Sequence, residues 1–254
     1  MRSTGFEHLR PVIARDTGSK SPFLITCDHA GREVPRELGD LGLPPEAFER
    51  HIAWDIGAGA LSLRLGDALG ACITLGVYSR LVIDLNRAPG RPDSIPDFVD
   101  GTAIPANEAL TEADAAARAQ AIHEPYHRAI AAELDWRERQ GLSTVVLFIH
   151  SFTPRLAGRD RPWTVGVLHA HDSPFSDAML ALLSERTNHV VGDNQPYTMD
   201  ETDYSAGRHA RARGLDYLEL EVRQDLIAEP EGVARIADQL APLLAAALSG
   251  RSGG

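Results

Sequence analysis

The sequence predicts an α/β protein: a single domain with a mostly parallel mixed sheet and helices on both of its faces. Three observations predict it. Short apolar or β-branched runs are bounded by Gly, Pro or charge, helical patterns lie between those runs, and the composition is that of a chain able to bury one sizeable core. At 254 residues, 43% hydrophobic and 24% charged, the chain fits one large unit over 1–254, and no linker or repeat divides it. The small polar tail 249–254, SGRSGG, is expected to fray.

Taken in order, the expected strands are 22–27, 71–75, 80–85, 144–149, 164–168 and 215–222, and most read as covered on both faces. The first expected helix, 56–69, carries Ile56, Ala60 and Leu63 on one stripe and Leu61, Leu65 and Leu69 on its neighbour. A second runs over 111–139, opened by Thr111 with Asp114 three residues later and rich in Ala. Pro125 falls inside it and removes a backbone donor, which predicts a kink or a break near 123–126. Helices at 174–187 and 231–248 complete the alternation. Residues 88–110, with four prolines, and 188–214 read as long loops, the kind that form lids or binding walls.

The charge of −11 argues against nucleic acid as a partner, since phosphate neutralisation needs a clustered basic surface. No run approaches a membrane span, and the first residues lack the apolar stretch of a signal peptide, so a soluble cytoplasmic protein is expected, with oligomeric state left open. Cys27 and Cys72 each sit in an apolar run and read as buried reduced thiols.

Chemistry concentrates at the ends of the runs. His29 follows SPFLITCD, His150 follows STVVLFI, and YSRLVIDLNR ends on Asn86 and Arg87. Polar, metal-capable side chains at the carboxyl edge of an α/β sheet face the crevice where loops converge. HEPYH at 123–127 matches the H-E-x-x-H zinc pattern of metallopeptidases, but a proline separates the two histidines where that helix needs regular geometry. His169 and His171 form an H-x-H pair that would share one face of a strand, a second candidate metal site.

Seven ordered blocks carry a broader signal: CDHAG at 27–31, HIAWDIGA at 51–58, YSRLVIDLNR at 78–87, PYH at 125–127, IHSFTP at 149–154, DNQPY at 193–197 and RHARARGLDYLELEVRQDL at 208–226. In these blocks the chain resembles the N-formylglutamate amidohydrolase family, which is related to the zinc carboxypeptidases and aspartoacylases. The resemblance implies a zinc-exopeptidase-like fold, hydrolysis of the amide bond of an N-acyl amino acid such as N-formyl-L-glutamate, and one divalent metal ion, zinc.

Within that resemblance His29, Asp55 and His150 are the candidate metal ligands. The carboxypeptidases carry a Glu three residues after the first histidine; here that position is Arg32, so Asp55 takes the role, with Glu33 and Asp28 as alternatives. Asp55 could instead cap the helix that follows it. Glu221 of LELEV stands where the resemblance places the catalytic glutamate, and Glu219 shares its strand face. Arg223 and Arg208 are its candidate ion-pair partners. Arg80 is a candidate for holding the oxyanion, with Asp84 orienting Arg80 or Arg87, and the Asn86–Arg87 pair resembles the carboxylate grip of the related enzymes. Ser151 and His209 are further candidate substrate contacts. Ser151 lacks the G-x-S-x-G surroundings of a serine hydrolase, and Asn194, Tyr197 and Tyr204 are candidate loop contacts. Two other functions remain at this level: a non-catalytic pocket binding an acidic small molecule, and a metallopeptidase using HEPYH.

Overall fold

Seven strands form one sheet in the computed structural model, which describes residue 6 and residues 8–250. The strands are β1 (Val12–Arg15), β2 (Phe23–Cys27), β3 (Cys72–Gly76), β4 (Val145–Phe152), β5 (Val165–Leu168), β6 (Val191–Asp193) and β7 (Asp216–Arg223). Their spatial order is β1-β3-β2-β4-β7-β5-β6. The central strands β3, β2, β4 and β7 are parallel, β1 and β5 run antiparallel to their inner neighbours, and β6 pairs in parallel with β5. The α/β expectation with a mostly parallel mixed sheet therefore holds.

Period-two alternation sorts side chains onto two cores. Ile25, Ile73, Leu147, Val167 and Leu220 meet Leu61 and Leu65 of α1 (Ala58–Leu69), Phe175 and Met179 of α4 (Pro174–Arg186), and Ile236 and Leu240 of α6 (Pro230–Ser249). On the other face Leu24, Cys72, Val146, Phe148 and Tyr217 meet Tyr126, Ile130 and Leu134 of α3 (Glu124–Arg139). Each of these side chains is essentially removed from water, worth roughly 1.5–3 kcal/mol apiece for the larger apolar ones. Cys27 and Cys72 are buried and free, as read from the sequence. Among the described residues no helix is long and apolar enough to cross a membrane.

Two expectations need correction. Residues 80–85 form no strand, although 81–85 are buried, because carbonyls of this segment are taken by side chains instead of a strand ladder. Asn107 donates to Leu81 O at 2.9 Å, Arg118 to Val82 O at 3.0 Å and His127 to Leu85 O at 2.9 Å. A short apolar run reports burial, and these donors arrive from far along the chain.

The interruption expected near Pro125 is present: the pattern divides into two helices, with the second beginning at Glu124. Thr111 and Asp114 close a capping box on α2 (Glu112–Arg118), a π-helical turn follows at Ala119–His123, and the proline falls in the first turn of α3, where its missing N–H is not required. The loop at 188–214 contains β6 and the short helix α5 (Tyr204–His209). At the C-terminus Ser249 is helical, and 251–254 of the expected frayed tail lie outside the described residues.

Candidate active site and metal centre

Sheet order brings the carboxyl ends of β2, β4 and β7 side by side, and the polar residues there converge. His29 lies two residues beyond β2. His150 is inside β4, which runs on to Phe152, and it stands beside Glu221 in the parallel register with β7. Asp55 precedes α1 and is tied to both strands: its N–H donates to His29 O at 2.9 Å, and its carboxylate accepts from Ser151 N at 3.3 Å.

The helix-capping alternative for Asp55 fails, since the N-cap of α1 is Gly57, without a side-chain cap. Gly57 has φ +81°, and a Cβ there would lie 2.1 Å from Ile227 O. Gly57→Ala is expected to cost at least about 1–3 kcal/mol in denaturant unfolding, and to lower activity with it because Asp55 is two residues away.

His29, Asp55 and His150 each offer a ligand atom within 4.8 Å of the others. Asp55 Oδ2 lies 3.4 Å from His29 Nδ1 and 2.9 Å from His150 Nδ1. The far side of each ring meets another carboxylate: His29 Nε2 is 2.7 Å from Asp84 Oδ1, and His150 Nε2 is 3.8 Å from Asp28 Oδ2. Tyr126 holds Asp28 by donating its hydroxyl to Oδ1 at 2.7 Å. The His29–Asp84 contact is a hydrogen bond of the kind that orients metal-binding imidazoles, whereas Asp28 faces the His150 ring beyond hydrogen-bond distance.

Asp28 therefore stands behind His150, and Glu33 is exposed with its backbone paired to residues 77–79 just beyond β3, so the two alternative ligands lie apart from the cluster. Arg32 is turned outward onto Glu49 and the Trp54 ring.

The site is rich in buried acid. Asp28, Asp55, Asp84, Glu219 and Glu221 are all at most 5% exposed, and Arg80 is the guanidinium that faces two of them. Buried charge of one sign requires a counter-charge. Asp28 Oδ2, His150 Nε2 and Glu221 Oε2 are buried without a hydrogen-bond partner. A divalent cation fits this donor set of imidazole nitrogen and carboxylate oxygen.

Burial disfavours the Asp55 carboxylate, yet the neighbouring His29 and His150 outweigh it and keep it ionised far below the usual range. Burial pushes the Glu221 carboxyl up to about 7, and burial with Asp203 nearby holds Glu219 well above its ordinary value. Neither Arg223 nor Arg208 reaches Glu221, since Arg223 pairs with Asp225 and Arg208 with the Tyr204 hydroxyl.

These groups open onto a cavity of about 370 Å³ whose wall includes His29, Asp55, His150 and Glu221 together with Arg80, Asn86, Arg87 and Ser151. Arg80 donates Nε and Nη2 to Asp84 at 3.1 and 2.7 Å and Nη1 to Asp55 at 3.4 Å, so Asp84 orients Arg80 as expected. Ser151 lines the cavity, but its hydroxyl donates to Ile56 O at 2.8 Å, a stitch that holds the Asp55 turn on β4.

His209 departs from its expected place. It lies outside the cavity wall, buried, with Nε2 2.8 Å from His127 Nδ1. Of the loop residues, Tyr197 reaches the cavity, whereas Tyr204 packs on His123 and His127, and Asn194 accepts from His169 N at 3.0 Å.

HEPYH also receives a different role. His123 and His127 point their Nε2 atoms at Arg87 O and Leu85 O, at 3.0 and 2.9 Å, and so brace the segment that carries Asn86 and Arg87. Burial keeps both imidazoles below their ordinary pKa. Among the described residues neither belongs to a metal-capable cluster. Asn86 is held from the other side, its Oδ1 accepting from Ser205 N at 2.9 Å. Asp28, Asp84 and Tyr126 as supports of the histidines escaped a linear reading, although Asp28 directly precedes His29 and marks itself by that adjacency.

Comparison with known proteins adds independent findings. A family model described as N-formylglutamate amidohydrolase matches residues 21–228. The fold is similar to the crystal structure of a gene product from Agrobacterium tumefaciens, with a TM-score of 0.93 and 35% identity over 96% of both chains. It is also similar to an N-formylglutamate amidohydrolase from Ralstonia eutropha JMP134, with a TM-score of 0.69 and 20% identity over 97% of this chain and 100% of that one. No curated protein matches the sequence. With four-fifths of its length under one family model and its polar blocks gathered at one sheet edge, the chain belongs to the N-formylglutamate amidohydrolase family.

Proposed function

We propose that the protein is a metal-dependent amidohydrolase that cleaves the amide bond of an N-acyl amino acid such as N-formyl-L-glutamate, releasing the carboxylic acid and the free amino acid. The observation that carries this reading is the His29–Asp55–His150 cluster, backed by Asp84 and Asp28, opening beside Glu221 into a cavity walled by Arg80, Asn86 and Arg87. One divalent ion, zinc by the donor set, would be held by His29, Asp55 and His150, where it supplies Lewis acidity and lowers the pKa of water toward 7.

The chain's own groups account for the rest. Glu221, with its carboxyl raised by burial, takes the proton of the attacking water and returns it to the leaving nitrogen as the C–N bond breaks. Arg80 has five N–H groups and engages three with Asp84 and Asp55, which leaves donors for the oxyanion that develops on the scissile carbonyl. Asn86 and Arg87 receive the α-carboxylate. The free buried thiols agree with a cytoplasmic, reducing setting.

The test is formate release from purified protein supplied with N-formyl-L-glutamate, before and after chelation. Release that chelation abolishes and zinc restores supports the reading; no formate or acetate release from a panel of N-formyl and N-acetyl amino acids, or release indifferent to chelation, removes it. Arg87→Ala is expected to raise KM by about 10- to 100-fold with kcat nearly kept, as for loss of charged hydrogen bonds worth about 1.5–3 kcal/mol equally in ground and transition states. Steady-state kinetics decides this, and a fall confined to kcat would move Arg87 out of substrate binding.

A further inference from the structure

We propose that His169, His171 and Asp177 hold a second divalent transition-metal ion, of the zinc class, at a surface site apart from the catalytic cluster. Each of the three offers a ligand atom within 4.8 Å of the others. His169 directly follows β5, and Asp177 lies in the first turn of α4.

The tautomer of His169 suits a metal. Its Nε2 is 2.8 Å from Asp193 Oδ1 at the end of β6, and a carboxylate accepts only from a protonated nitrogen, so the proton sits on Nε2. Nδ1 is thereby left unprotonated. It accepts a single long hydrogen bond from His171 N at 3.3 Å, which an ion would displace, and stands 3.9 Å from Asp177 Oδ1. A buried imidazole with a carboxylate behind it and an unprotonated nitrogen in front is the arrangement that metal-ligating histidines adopt.

His171 provides a second, independent observation. The H-x-H pair does not lie on a strand face as its spacing suggested, because β5 ends at Leu168 and His171 takes φ +58°, a left-handed conformation costly for a residue with a Cβ. That turn brings its ring to 4.4 Å from the His169 ring, at 80°. Backbone strain of this kind tends to persist where it serves a site. Two imidazoles and one carboxylate, with the outer two exposed so that water completes the shell, favour zinc and its neighbours over calcium or magnesium. An ion there would clamp α4 to the carboxyl ends of β5 and β6. Asn194, which follows β6, accepts from His169 N, so the clamp joins the loop that continues to Tyr197 on the cavity wall.

The full chain is saturated with zinc, passed through gel filtration and assayed for bound metal beside His171→Ala, Asp177→Asn and His150→Ala. About two equivalents are expected in the wild type and about one in each variant, with formate release unchanged in His171→Ala and Asp177→Asn. The two exposed positions make both substitutions compatible with folding, and Asp177→Asn keeps size while weakening the ligand. Wild-type zinc content in both surface variants overturns the proposal. One equivalent lost in His171→Ala and none in His150→Ala would keep this site and remove the catalytic one, so the two readings fail separately.

Discussion

Glu221→Gln lowers kcat for formate release by about 10²- to 10⁴-fold, with zinc content and KM close to the wild type. The range is that for losing general acid–base catalysis, and the near-isosteric amide preserves the packing of a side chain buried beside His150. Burial, partly offset by His150 and Arg80, places this carboxyl at about 7 in the metal-free protein, and a metal cation next to it favours the carboxylate and draws the value down. The acidic limb of the pH profile of kcat/KM therefore falls at or below pH 7: activity rises with pH as Glu221 ionises, and Glu221→Gln removes the limb. Parallel stopped assays from pH 5 to 9 on both proteins measure it. An unchanged kcat would assign the proton to another group. A protein that only binds an acidic small molecule would keep its ligand affinity in this variant and show no turnover in either form.

His150→Ala removes the catalytic equivalent of zinc and lowers turnover by about 10³-fold or more, since Lewis-acid stabilisation is worth several kcal/mol and each 1.36 kcal/mol is tenfold in rate. The effect also reaches stability. Although burial disfavours a charged ring, the Asp55 hydrogen bond and charge hold the His150 pKa well above its ordinary value in the metal-free protein, so an imidazolium faces Asp55. Removing it leaves buried carboxylates short of a partner. The expected loss is on the order of 3 kcal/mol, the low end for breaking a buried ion pair, because His29 and Arg80 still face Asp55. Metal analysis and urea unfolding of the chelated proteins give the two numbers. Full zinc retention in His150→Ala would relocate the metal.

The same metal analysis on His127→Ala separates the two histidine sets. If HEPYH held the ion, that variant would lose it. With His127 donating to Leu85 O and stacked on His209, the variant instead keeps its zinc and loses grip on the Asn86 segment, seen as a raised KM.

By itself the sequence determined the α/β alternation and its two-faced core and marked His29 and His150 after apolar runs, because period-two and period-3.6 burial and the residue that follows such a run are properties of neighbours along the chain, while Glu221 was marked by the family resemblance. It could not see the edge strands: β1 is largely solvent-facing and β6 is three residues long, so neither carries a burial pattern. Only the tertiary structure decided that Asp55, 95 residues before His150, is the carboxylate between the histidines, that Asp28 stands behind, and that Ser151 and His209 serve as supports. It also made 80–87 a turn segment held by donors from Asn107, Arg118, His123 and His127. The physical reason is common to all of these: a hydrogen bond or ligand pair needs two groups within about 3 Å, and for partners this far apart in sequence that proximity exists only once the sheet order has been set.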